Sequence, residues 1–149
     1  MKNVDYYPVD FNPDYKGIRA VVDITDIPYE DNMFDFIMCT HVLEHIPDDN
    51  KAMEELYRVL KEGGRALINV PVNEAYEHSF ENEEYNTPEL REKYFGQSDH
   101  VRWYGKDFPQ LLRKVGFHVE EMRPFINADE EFLRKNGIYP WETIYYCTK

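Results

Sequence analysis

Three polar groups in the first third of the chain each close an apolar run: Asp10 after YYPV, Asp23 after IRAVV, and Cys39-Thr40-His41 after FDFIM. In an open α/β sheet, ligands bind at the carboxyl ends of the strands. An acidic residue after the second strand typically accepts hydrogen bonds from ribose hydroxyls. Asp10 is placed for that work. Read by itself, the segment YYPVDFNPD is more simply a turn capped by Asp10 and Asp14. A different chemistry is suggested by His41-Val42-Leu43-Glu44-His45, which follows the pattern H-x-x-E-H. In that pattern two histidines one helical turn apart share a zinc ion and the glutamate acts as base. Cys39 would be available as a third ligand. The motif starts directly after an apolar strand and ends at Ile46-Pro47, which leaves barely one helical turn. A zinc hydrolase using His41, Glu44 and His45 is therefore a remote reading, and no metal is expected. His100, Arg102 and Tyr104 in DHVRWYG could face a substrate. The simpler account has Trp103 and Tyr104 packing while His100 and Arg102 pair with nearby acids.

These groups need elements to position them. Val4 to Val9, Ile18 to Val22 and Phe34 to Cys39 read as buried strands, the last almost continuously apolar as parallel core strands are. A helix follows, with N-cap groups at Pro47-Asp48-Asp49-Asn50 and one apolar face at Met53, Leu56, Tyr57 and Leu60. Lys61 falls in its last turn, Gly63 and Gly64 stop it, and Arg65 to Val70 is the next strand, ended by Pro71. Val72 to Asp99 is acidic and aromatic, an excursion off the sheet that reads as a lid or as a solvated loop, with a short helix after Thr87-Pro88. Phe108, Leu111, Leu112 and Val115 form another helical face that stops at Gly116. Phe117 to Met122 and Thr143 to Cys147 are expected to pair antiparallel, with a short helix from Asp129 to Lys135 between them.

Composition narrows the functions. The chain has 149 residues, enough for one domain with a substantial core, and a net charge of −12. With no local basic cluster, such a surface repels a phosphate backbone, so nucleic acid is not expected as partner. Cys39 and Cys147 are too few for a disulfide framework and suit a reducing cytoplasm. No apolar run approaches membrane-spanning length, and MKNVDYYPVD lacks a basic-then-apolar leader pattern. A soluble cytoplasmic protein without membrane contact is the expectation.

The order and spacing of DITDIP, FDFIMCTHVLEH and LYRVLKEGG, with FGQSDHVRWYG and the LLRKVGF helix, resemble a class I S-adenosylmethionine-dependent methyltransferase over nearly the whole chain. The resemblance implies an α/β, Rossmann-like, mostly parallel sheet in a single domain spanning residues 1–149. It implies S-adenosylmethionine as cofactor, its ribose at Asp10 with Phe11 beside it and its adenine at Asp23 and Ile24. Thr40, His41 and Val42 would close over the cofactor. The family's first strand and glycine-rich loop hold the methionine half, and this sequence contains no GxGxxG. The expected sheet therefore lacks its first strand and helix, with Val4–Val9 and Phe34–Cys39 flanking a gap. Either those strands pair directly, or a second copy or partner chain completes the sheet, and a homodimer is expected. Cys39-Thr40-His41-Val42 stands where nucleic-acid amine methylators of the family carry Asn/Asp-Pro-Pro-aromatic. That points to a small-molecule or other non-nucleic-acid acceptor. The alternative is a non-catalytic interaction or regulatory protein on a decayed methyltransferase scaffold.

Overall fold

The computed structural model describes residues 4–137 and 139–149. Strand and helix alternate from the start: β1 Val9–Asp10, β2 Ala20–Val21, β3 Phe34–Thr40, a 3-10 turn Leu43–His45, α1 Asp49–Val59 and β4 Leu60–Asn69. A side ribbon of β5 Phe80–Glu81 and β6 Arg102–Trp103 brackets α2 Pro88–Phe95. Then come α3 Phe108–Val115, β7 His118–Met122, α4 Glu130–Asn136 and β8 Ile144–Thr148. The main sheet has the order β3-β4-β8-β7, and β1 and β2 form a separate parallel pair. β3 and β4 are parallel, while β8 runs antiparallel to both β4 and β7. Three of the four strands thus point the same way and β8 alone is reversed. The fold is α/β and Rossmann-like, and the expected antiparallel pairing of the last two strands is present.

The first two strands depart from expectation. They are two residues long, and Val4, Tyr6 and Val9 are exposed where a buried strand was expected. Pro8 has no N–H to donate, and among the described residues β1 is bonded on one edge only, to β2. β3 runs one residue past the expected Phe34–Cys39, yet Phe36 is 50% and Met38 61% exposed. It too pairs on one edge only among the described residues, with β4. β1 and β3 do not pair with each other, so the direct closure considered from sequence does not occur.

α1 begins as its sequence suggests, with the Asp48 carboxylate accepting from the Lys51 N–H at 3.0 Å. It ends at Val59, four residues before the glycines expected to stop it. Leu60 is fully buried and already pairs with Phe34, and the ladder then skips to Phe36 with Arg65. Residues 61–64 bulge out between those pairs, and Gly63 makes the turn with φ +71°. Burial of an apolar side chain is worth about 1.5–3 kcal/mol, which outweighs the propensity of Lys61 and Glu62 to continue the helix.

The core lies between the sheet and α1 and α3, where Met53, Leu56, Ala66, Ile68, Leu112 and Cys147 are buried together. Gly116 lets the two helices meet. Its φ is +126°, and a Cβ there would lie 2.8 Å from the Tyr57 ring. A buried ion pair ties the β2–β3 connection to α1. Glu55 accepts from Arg58 Nε at 2.7 Å and from the Ile27 N–H at 2.8 Å. Arg58 in turn donates to the carbonyls of Ile27 and Tyr29 and to Asp31. No described helix is long and apolar enough to cross a membrane.

Candidate functional site

Asp10 is the last residue of β1 and pairs with Val21 of β2, and Asp23 lies two residues beyond the end of β2, after Val22, whose N–H donates to the Asp10 carbonyl at 3.0 Å. Asp10 Oδ1 accepts from the Asn12 N–H at 2.8 Å, the turn cap weighed from sequence. Asp23 Oδ1 accepts from the Thr25 N–H and hydroxyl at 2.8 and 2.7 Å. The Thr25 backbone bond, with the hydroxyl, holds the Asp23 carboxyl below its ordinary pKa. Each carboxylate keeps its second oxygen free for a ligand, since only Oδ1 is engaged among the described residues. Phe11 is 72% exposed, and Ile24 packs against the core beneath.

β3 ends at Thr40, which is exposed, and its chain then turns sharply. His41 has φ +53°, in the left-handed region that non-glycine residues adopt at some cost. Its N–H donates to the Asn69 carbonyl at 2.9 Å, and its ring bridges Glu44 Oε1 at 3.3 Å and Glu142 Oε1 at 3.0 Å. Val42 packs half-buried on the core. Tyr29 touches both Tyr7, just before β1, and Phe34, the first residue of β3. That anchor puts the starts of β1 and β3 at one end, so Asp10 and Thr40 lie away from it. The residues expected to bind a nucleoside are thus all at carboxyl ends of strands.

The histidine motif is arranged differently from a helical zinc pair. Leu43 to His45 is a single 3-10 turn, with Leu43 and Glu44 buried. His100 arrives from the distant strap before β6, its ring edge-on to His45 with centroids 4.8 Å apart. Burial first, then the neighbouring His45, pushes the His100 pKa down. Glu44, His45 and His100 are the cluster whose donor atoms could share an ion. Cys39 stands outside that cluster, its thiol pushed up to about 12 by burial and then by the Glu44 charge. Nothing in the local sequence joins His100 to Glu44, 56 positions earlier.

Arg102 and Tyr104 are enclosed by the protein. Arg102 donates to the carbonyls of Leu43, Ile46 and Pro47 and to Glu81. The Tyr104 hydroxyl donates to Asp49 at 2.6 Å. These two residues clamp the turn after β3 and do not present themselves to a substrate. The ion pair and packing weighed from sequence describe them. A hollow of about 600 Å³ lies elsewhere, between Glu77 and His78 on the excursion and Gln110 and Lys114 on α3. None of the expected site residues line it, and its lining is charged.

A methyltransferase-domain family model matches residues 7–68. The 2-phytyl-1,4-naphtoquinone methyltransferase of Nostoc punctiforme is 32% identical over 118 residues, covering 71% of this chain and 51% of that protein. The chain thus spans about half the length of this relative. Among solved structures, a methyltransferase in complex with the Trm112 methyltransferase activator of Haloferax volcanii superposes with a TM-score of 0.60 at 20% identity, over 94% of this chain and 70% of that one. The phosphoethanolamine N-methyltransferase 2 of Haemonchus contortus, in complex with phosphomonomethylethanolamine and S-adenosylhomocysteine, gives a TM-score of 0.51 at 19% identity, over 85% and 36%. The chain belongs to the class I S-adenosylmethionine-dependent methyltransferase family.

Proposed function

We propose that this chain binds the nucleoside of S-adenosylmethionine and serves methyl transfer to a small-molecule or other non-nucleic-acid acceptor. The observation that carries the reading is the pair of strand-end carboxylates, Asp10 and Asp23, each with an oxygen left free. Those acceptor oxygens fit the hydroxyl and amino donors of a nucleoside. When bound, S-adenosylmethionine supplies an electrophilic methyl group on a sulfonium. Asp10 accepts from the ribose hydroxyls, with Phe11 exposed beside it. Asp23 and Ile24 hold the adenine by a polar and an apolar contact. Thr40, His41 and Val42 wall the far side, and the His41 turn is fixed by Glu44 and Glu142. The net charge of −12 disfavours a polyanionic acceptor.

Isothermal titration with S-adenosylmethionine and S-adenosylhomocysteine tests this. Asp10→Ala removes charge-assisted hydrogen bonds and should weaken binding by about 1.5–3 kcal/mol. Unchanged affinity in that variant overturns the assignment. The quaternary reading is that a second copy or a partner chain supplies an extended strand between β1 and β3. Among the described residues each of these strands pairs on one edge only, and Val9, Phe36 and Met38 are exposed along them.

A further inference from the structure

We propose that Glu44, His45 and His100 form a binding site for a divalent transition-metal ion of the zinc class. The three donor atoms already lie within 4.8 Å of one another. They are held there by the clamp from the strap: the Val101 N–H donates to the Glu44 carbonyl at 3.0 Å, and Arg102 donates to the carbonyls of Leu43 and Pro47. The convergence is therefore built by the backbone.

Two of the three groups also keep one buried atom each without a partner. Glu44 is 1% and His100 2% exposed, and neither Glu44 Oε2 nor His100 Nδ1 has a hydrogen-bond partner. A buried carboxylate oxygen and a buried imidazole nitrogen are rarely left so, because each has lost its water without replacement. A cation bound through these two atoms would answer both needs.

The third ligand is prepared differently. His45 Nδ1 meets the Asp99 backbone carbonyl at 3.3 Å. A carbonyl can only accept, so Nδ1 carries a proton, and Nε2, 3.9 Å from Glu44 Oε1, is the nitrogen left to face an ion. Ligating histidines are oriented by such an outer bond. His41, at 3.3 Å from Glu44 Oε1, braces the carboxylate in the same way. Two imidazoles and one carboxylate suit zinc and its first-row neighbours, whereas calcium and magnesium prefer oxygen alone. Ligands of a tetrahedral zinc at about 2.0–2.2 Å stand roughly 3.4 Å apart, so the side chains close inward by about an ångström as the ion enters. The His45 side chain is one-third exposed, which leaves a route in and a fourth position for a water or other oxygen ligand.

The expectation of a metal-free protein arose because H-x-x-E-H has too little helix here to bring His41 and His45 together. That objection does not reach a set in which His100 takes the place of His41. The proposal stands apart from methyl transfer, and its test uses metal alone.

Chelator-treated protein is titrated with Zn2+ by calorimetry and with Co2+ by visible absorption. One equivalent should bind, with Co2+ giving the intense visible bands of a low-coordinate site. Glu44→Gln, His45→Ala and His100→Gln should each weaken binding at least ~10-fold, with far-UV circular dichroism confirming the fold. Where a buried variant fails to fold, His45→Ala decides, since its ring is partly exposed. The double variant His78→Ala/His118→Ala alters the exposed histidines and should bind as the wild type does. Absence of saturable binding in the wild type overturns the site. So does loss confined to the double variant, or unchanged affinity in His45→Ala.

Discussion

Glu55 shows how one residue's titration reaches the fold. Arg58 holds its charged form, against the cost of burial, and the Ile27 N–H adds to this, so its pKa lies below the ordinary 4.5. The unfolded chain therefore takes up that proton more readily than the folded one. The resulting stability is complete above about pH 5 and drains away as the pH falls through the depressed folded value. Glu55→Gln should cost about 1–3 kcal/mol at neutral pH by urea denaturation. The gap to wild type should narrow below pH 4.5; a gap independent of pH would show that the charge of Glu55 is not what ties the β2–β3 connection to α1. Residue chemistry of this kind was only half legible. Asp10 and Asp23 could be placed because each closes an apolar run in sequence, although β2 itself stops at Val21. Arg102 reads as paired with nearby acids and does meet Glu81, but its other partners are backbone carbonyls of a turn 55–59 positions earlier, and no local spacing encodes them.

Elements were read best where their signals are local. Asp48, Thr87 and Asp129 all cap helices through their side chains, as short polar residues before a periodic stretch do. The face of α3 at Phe108 and Leu112 is buried as its spacing requires. Elements were misread where tertiary contact overrode local preference. Leu60 left a helix for a strand, and β1 and β2 shrank for want of a bonded neighbour. The acidic excursion also joins the fold by a distant pairing, β5 with β6, with Phe80 opposite Trp103. Gly116 tests the α1–α3 contact. Its substitution by Ala meets both a positive φ and the Tyr57 ring at 2.8 Å, and should cost about 1–3 kcal/mol. A thermal midpoint equal to that of wild type would mean the helices have room to spare.

For the whole molecule, two sheets share one core, since Val22 and Ile27 beside β2 are buried with the residues of α1 and β4. The strip between β1 and β3 bears on assembly. Light scattering at micromolar protein should report a species larger than one chain, and a strict monomer would contradict completion of the sheet by another chain. The acceptor leaves no comparable mark in the sequence, because side chains from several loops would shape its pocket. The central claim is that a nucleoside is held at the carboxyl ends of β1, β2 and β3. Amide chemical shifts of 15N-labelled protein during titration with S-adenosylhomocysteine test it most directly. The largest shifts are expected at Asp10 to Asn12, Asp23 to Thr25 and Thr40 to Val42, with Glu77, Lys106 and Gln110 unmoved. Shifts concentrated instead around that second group, in the hollow between the excursion and α3, would contradict it.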